Sequence, residues 1–316
     1  MQASPQSAHD RPEALFRKNS KSFSLAARFF ERSDREAVAR LYAFCRYLDD
    51  LADGSREGEK SKLAGISAQL ARGKTDGDAP LPVRDFLRLA EERGVPVGPA
   101  VELAEALVQD CGPRRIEDTG ALLRFAYGVA GTVGLMMSRV IGADDPRAAS
   151  FAIDLGIALQ LTNIARDVAE DAGRERFYLP GEWVAPSTVQ KGLAGDSEAI
   201  SSVDSAIERT LELADRYYAS ARLGHWFIPH RNRRVVFLAT ALYQAIGRKI
   251  LRKGSGAWRR RVVVGPAEKA ATGLRATFDY LHFRRSAWAE DAPRHDDRLH
   301  LPLDRSPAAE RKGGFT

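Results

Sequence analysis

Apolar residues recur at three- and four-residue intervals along almost the whole chain, and no run alternates strictly at every second residue as a half-buried strand would. The pattern predicts helices throughout and an all-α protein. Breaker clusters at 55–60, 74–82, 94–99, 112–115, 142–146, 180–187 and 192–197 divide it into helix-sized pieces, and none has the character of an interdomain linker. One helical domain over 14–286 is therefore expected. A flexible segment, 1–13, precedes it, and 287–316, where Pro, Asp, Arg and Gly interrupt the helical period, is expected to be a polar, disordered tail.

Two of these helices carry oxygen donors along one face. In LYAFCRYLDDLAD (41–53) helical pitch sets Asp49 and Asp53 one turn apart. In LGIALQLTNIARDVAED (155–171) Asn163, Asp167 and Asp171 follow one another at i, i+4, with Gln160 a turn before Asn163. Like charges so placed cost an isolated helix about 0.2–0.5 kcal/mol, which a bound cation reverses. Magnesium suits such a stripe, because it prefers oxygen ligands and is typically held by one or two carboxylates plus substrate phosphate oxygens. A solvated helix face produces the same spacing, so spacing alone leaves both readings open.

Composition narrows the choice. A hydrophobic fraction of 44% is ample for a core, and the longest uncharged stretches, 125–138 and 235–247, fall short of the roughly 20 apolar residues of a membrane span. The first residues lack the apolar run of a secretory signal, so a soluble, cytoplasmic protein is expected. The net charge of +6 suits a polyanionic partner: nucleic acid, anionic lipid or a phosphorylated substrate. A nucleic-acid binder would show basic patches interleaved with stacking aromatics and has no use for paired carboxylates, so no nucleic-acid partner is expected. Basic residues at 248–253 and 259–261 make a peripheral contact with anionic lipid the expectation instead. Two cysteines make no disulfide framework, and the six histidines show no metal-ligand spacing.

The wording around the acidic stripes is more specific than their spacing. SKSFS (20–24), the 41–53 segment, YGVAGTVGLMM (127–137) and 154–183, which closes on RFYLPGEW, resemble the squalene and phytoene synthase family, the bacterial phytoene synthases above all. Weaker echoes follow at AIGRK (245–249) and WRRRVVV (258–264). The resemblance implies a single isoprenoid synthase bundle around a central cavity, with the two aspartate motifs facing each other across its mouth. It implies Asp49, Asp53, Asn163, Asp167 and Asp171 as ligands for Mg2+, with Mn2+ as the substitute, and Asp50 and Glu170 beside them. Ser20, Lys21, Phe23, Arg46, Gln160, Arg174, Tyr243 and Arg261 would bind the prenyl diphosphate, and Tyr127 would stand at the reacting carbons.

The implied reaction joins two geranylgeranyl diphosphates head to head through a cyclopropylcarbinyl diphosphate to phytoene, in carotenoid biosynthesis. The alternative within the family is a squalene-type or diapophytoene-type synthase using farnesyl diphosphate. No NADPH is expected, since no strand followed by GxGxxG occurs. The alternative of another class is a non-catalytic assembly factor, which would be expected to have lost metal ligands that this chain retains. The small residues Gly128, Ala130, Gly131 and Gly134 read either as a close helix contact or as room for a prenyl tail. Oligomeric state is not legible.

Overall fold

The computed structural model describes residues 26–54, 58–73, 79–286 and 291–303; Ser20, Lys21 and Phe23 lie outside the described residues. In chain order the helices are α1 (Arg32–Asp53), α2 (Glu59–Ala71), α3 (Leu81–Arg93), α4 (Gly98–Asp110), α5 (Thr119–Ala126), α6 (Thr132–Val140), α7 (Ala148–Ala172), α8 (Pro186–Ala194), α9 (Ser197–Gly224), α10 (His230–Lys253) and α11 (Pro266–Ser286). A π-helical turn, Tyr127–Gly131, joins α5 to α6. The all-α expectation holds: among the described residues β structure is confined to two dipeptides, β1 (Arg114–Arg115) and β2 (Arg176–Phe177), paired in parallel.

The helix ends follow local chemistry. Proline stands in the first turn of α3, α4 and α8, where its missing N–H would have no helical partner anyway. Asp118 and Asp196 cap α5 and α9, accepting from the backbone N–H of Ala121 at 2.7 Å and Ala199 at 2.8 Å. Gly94 and Gly195, both left-handed, close α3 and α8.

Two apolar clusters fill the bundle. One joins α1 to α4 and α6 through residues such as Leu41, Phe86, Leu103 and Met136; the other joins α5 and α7 to α10 through Leu122, Leu161, Ile207 and Ile246. α7 is central, packing on α6, α9 and α10. It and the continuous segment Thr119–Val140 are long and apolar enough to cross a membrane by length and composition. Counting uncharged runs alone hid this. In the bundle their apolar faces are core: Leu122, Leu123, Met136, Ile157, Leu161 and Ile164 are all buried.

α7 meets the π turn and α6 through main chain. A Cβ built on Gly134 would lie 2.1 Å from the carbonyl oxygen of Ala152, and one on Gly156 would lie 2.2 Å from that of Ala130. Only glycine fits at either point. The close-contact reading of the small-residue ridge holds, and Ala130, Gly134 and Gly156 also line the central cavity.

The tail departs from expectation. Residues 291–303, placed by the sequence reading in a disordered tail, fold back onto the body. Tyr217 donates its hydroxyl to the carbonyl of Leu299 at 2.8 Å, and Leu303 is buried. His295 and His300 bond to Asp154, which is wholly buried inside α7. A segment without helical period has no apolar face to announce burial, but it can be held by polar side chains that meet a buried carboxylate.

Candidate active site

A cavity of about 730 Å³ lies among α1, the π turn, α6, α7, α10 and residues 261–264. Along α1 its lining runs from Val38 and Leu41 to Tyr42, Arg46 and Asp49; along α7 it runs from Phe151 and Leu155 to Gln160, Asn163 and Arg166. Polar groups therefore gather at one end and apolar side chains at the other. Tyr243 of α10 and Arg261 complete the polar end. Asp49 and Asn163, from separate motifs, thus border one hollow.

Asp53, Asp167 and Asp171 stand just beyond this lining. Arg176 Nη1 donates to Asp53 Oδ1 at 2.5 Å and Arg176 Nη2 to the carbonyl of Ala52 at 3.1 Å, while Arg174 Nη1 reaches Asp53 Oδ2 at 3.3 Å. These bonds tie the chain just after α7 to the end of α1, so the two acidic motifs lie side by side. The β1–β2 ladder pairs Arg114 with Arg176 and fixes that approach. Glu175, between the two arginines, has φ of 59°, a left-handed conformation uncommon for a non-glycine residue.

Each acidic row is already matched with guanidinium groups. Arg46 pairs with Asp50. Arg166 pairs with Asp167, its Nε donating to Oδ1 at 2.9 Å. Arg261 bonds Glu170 Oε2 through Nη1 at 2.8 Å and lies 3.6 Å from Asp167 Oδ1 through Nε. Tyr243, half-buried, lies against Arg166.

The uncompensated carboxylates are informative. Burial pushes Asp49 up to about 7, with Asp53, Asp50 and Asp110 adding to the rise and Arg46 opposing it. Burial also pushes Asp171 up to about 7, with Asp167 and Glu170 adding and Arg174 and Arg176 opposing. One half-buried acid on each motif thus holds its proton more tightly than a free carboxyl does. Beside them, Oδ1 of Asn163 is buried without a hydrogen-bond partner. Oxygen donors in this state fit a hard divalent cation, which accepts carboxylate and amide oxygens alike.

Tyr127 is placed differently from the expectation. Its hydroxyl donates to Glu102 Oε2 on α4 at 2.6 Å, and the ring is not among the residues that line the cavity. The π turn, in which Thr132 N–H bonds back to Tyr127 carbonyl, inserts a residue into the helical count and shifts the faces before it relative to those after. Gln160 lines the cavity beside Asn163, its Oε1 accepting weakly from Asn163 Nδ2 at 3.4 Å.

Arg166, Arg176, Tyr42 and Asp110 were not singled out in the sequence. Asp110 accepts from Tyr178 at 2.8 Å and is pushed up to about 6 by burial, with Arg176 and Arg114 opposing. Arg166 and Arg176 carried a signal of sorts, since each adjoins a motif carboxylate or closes a recognised phrase. Tyr42 and Asp110 carried none.

Residues 16–268 match the profile of the squalene/phytoene synthase family. The chain is 34% identical to a phytoene synthase of Pseudescherichia vulneris over 263 residues, 80% of this chain and 85% of that one. It is 36% identical to a 15-cis-phytoene synthase of a Paracoccus strain over 260 residues, 79% and 84% of the two chains. Among solved structures, a dehydrosqualene synthase in complex with a ligand superposes with a TM-score of 0.76 at 25% identity, covering 88% of this chain and 97% of that one.

Proposed function

The chain belongs to the squalene/phytoene synthase family and is a prenyl transferase, and from that premise we propose that it condenses two geranylgeranyl diphosphates head to head into phytoene with release of pyrophosphate. The observation that carries the reading is the cavity itself. It is one apolar hollow of about 730 Å³ whose polar end is built from both acidic helices and from Arg46, Arg166 and Arg261.

The chemistry needs those opposite surroundings. A primary allylic diphosphate must part from pyrophosphate, and the growing negative charge has to be met by fixed positive groups. Magnesium ions bound by Asp49, Asp53, Asn163, Asp167 and Asp171 would supply part of that charge. Arg46, Arg166, Arg174 and Arg261, paired with carboxylates of the two motif helices, are placed to turn to diphosphate oxygens, for which the guanidinium fork is well shaped. Asp49 and Asp171, whose carboxyls burial pushes up to about 7, would lose their protons to solvent as the cation binds. Deeper in, Leu41, Val133, Met137, Leu155 and Val236 exclude water from the allylic cation, which would otherwise be quenched before attacking the second substrate's double bond. Tyr243 offers a ring close to the charged end. The cyclopropylcarbinyl diphosphate then ionises in the same hollow, and loss of a proton ends the sequence without a reductant.

Membrane contact belongs to the same proposal, because the hydrocarbon product is insoluble in water. Leu274, Phe278 and Leu281 form an exposed stripe on α11 at helical spacing, and Leu251 and Val263 are exposed as well. Part of the basic segment is engaged internally, Lys249 at 2.5 Å and Arg252 at 3.6 Å with Glu268, Arg261 with Glu170 and Arg259 with the carbonyl of Leu193 at 3.3 Å, while Arg252, Lys253, Arg259 and Arg260 remain exposed to solvent. An apolar stripe with nearby positive charge suits an anionic bilayer surface.

The deciding experiment incubates purified protein with magnesium and geranylgeranyl or farnesyl diphosphate, with and without NADPH, and identifies the hydrocarbon. Phytoene from the longer substrate without NADPH is expected; squalene formed only with NADPH from the shorter one would overturn the proposal. Asp167→Ala should lose turnover and keep its helical content.

A further inference from the structure

About 20 Å along α7 from Asp167, at the opposite end of the helix, stands a second group of ligating side chains that the prenyl-transfer chemistry does not use. Asp154 is fully buried, and its two oxygens are taken from two sides: His295 Nε2 lies 2.9 Å from Oδ2 and His300 Nε2 lies 2.8 Å from Oδ1. The three ligand atoms all fall within 4.8 Å of one another. Ser220 of α9 donates to Asp154 Oδ2 at 2.5 Å, and His295 Nδ1 lies 3.0 Å from Asp297 Oδ1.

The protonation pattern is constrained. Asp297 is exposed, its carboxylate can only accept, and His295 Nδ1 must therefore carry a hydrogen. If His295 is neutral, its Nε2 then presents a lone pair to a carboxylate oxygen, which is repulsive unless a positive centre sits between them. That centre is either a proton, held by the imidazole of His295 or by the Asp154 carboxyl, or a metal ion. His300 adds a second imidazole nitrogen on the other oxygen, so one ion would satisfy all three groups together.

We propose that Asp154, His295 and His300 form a binding site for one divalent transition-metal ion of the zinc type, separate from the magnesium-binding stripes, that clasps the C-terminal segment 291–303 to α7 and α9. Two imidazoles and one carboxylate are a common zinc donor set, and soft-leaning nitrogen ligands distinguish the site from the all-oxygen stripes. Tetrahedral bonds of about 2.0–2.1 Å separate ligand atoms by about 3.3 Å, so each histidine–carboxylate contact needs to open by about half an ångström to admit the ion. The surroundings are those of a metal site: Asp297 fixes the tautomer that leaves Nε2 free to ligate, and Ser220 orients the carboxylate. The ring of His295 also stands edge-on to Phe151 at 5.3 Å, and Phe151 lines the far wall of the cavity. The clasp therefore stiffens the apolar end of the hollow.

The test uses the full chain, stripped with EDTA and dialysed into millimolar magnesium so that the acidic stripes are occupied. Zinc is titrated while bound metal and melting temperature are followed, and cobalt is used in parallel for its visible d–d absorption. One tight zinc equivalent, a rise in Tm reversed by EDTA, and a cobalt spectrum are expected from the unaltered protein and from Asp49→Asn. The double variant His295→Ala/His300→Ala should lose that equivalent, binding at least 100-fold more weakly. Should the double variant not fold, His300→Gln, which keeps a hydrogen bond to Asp154 but no imidazole, provides the same comparison. Equal zinc binding and equal Tm response in unaltered and histidine-substituted chains would overturn the proposal, as would no zinc response in the unaltered chain. Either result would identify the clasp as a histidine–carboxylate contact held by protons.

Discussion

Arg176 and Asp53 are 123 positions apart in the chain and 2.5 Å apart in space, Nη1 to Oδ1. The bond brings the end of the second acidic helix against the end of the first, and Arg176 holds Ala52 carbonyl as well. Arg176→Ala should therefore lower kcat/KM by about 10- to 100-fold, the range typical for residues that orient metal ligands. The magnesium concentration giving half-maximal activity should rise with it. Unchanged magnesium dependence in a folded variant would show that Asp53 keeps its position unaided.

Asp49 predicts a conflict between stability and activity. Its carboxyl is pushed up to about 7 from 3.8, so the folded state holds the proton more tightly than the unfolded chain does. The stability this contributes is present at low pH and is lost as pH rises through about 7. In metal-free buffer at pH 8, Asp49→Asn should melt a few degrees above the unaltered protein while losing turnover. Added magnesium should raise the Tm of the unaltered chain more than that of the variant. A variant less stable than its parent at pH 8 would contradict this account.

Tyr127 tests the reading of the π turn. With its hydroxyl on Glu102 rather than in the cavity, Tyr127→Phe should cost about 1–3 kcal/mol of stability, as expected for a hydrogen bond to a charged group. Turnover should stay within about 10-fold. A loss of a thousandfold or more at unchanged stability would instead put the phenol at the reacting carbons.

His225 should make the fold sensitive to acid. Burial pushes it down to about 3 from 6.5, with Arg222 and Arg233 adding to the fall, and neither ring nitrogen has a hydrogen-bond partner. The unfolded chain takes up the proton first, so stability falls as pH drops from 6.5 towards 3, by up to about 1.4 kcal/mol per pH unit. The ring packs 4.1 Å from that of Phe237. Replacing His225 with Phe should keep the packing and flatten this part of the curve, read as the difference in urea midpoint between pH 7 and pH 5. Parallel curves would assign the acid sensitivity to other groups.

Much of this was legible in the residues. Helical spacing specified the class, breaker clusters divided the chain near several helix boundaries, and the two acidic phrases located the polar end of the cavity. What escaped has a physical pattern. The role of Arg176 depends on a ladder between β1 and β2, whose members lie about 60 positions apart and are too short to alternate visibly. The direction of Tyr127 depends on one extra residue in a helical turn, which no count at regular pitch anticipates. His295 and His300 lack any ligand spacing with Asp154, because 141 and 146 residues separate them and only the folded chain joins them.

The seam where Gly134 meets Ala152 and Gly156 meets Ala130 sets peptide groups into a wall of the hollow that otherwise carries side chains such as Val133, Met137 and Leu155. Peptide groups cannot be trimmed or enlarged by substitution, so that stretch of the wall acts as a fixed ruler. Any drift in the isoprenoid length this enzyme accepts has to be written at side-chain positions away from it, such as Leu41, Val235 and Val236 on α1 and α10. Attempts to retune it by mutagenesis have productive ground there and meet collapse at the seam.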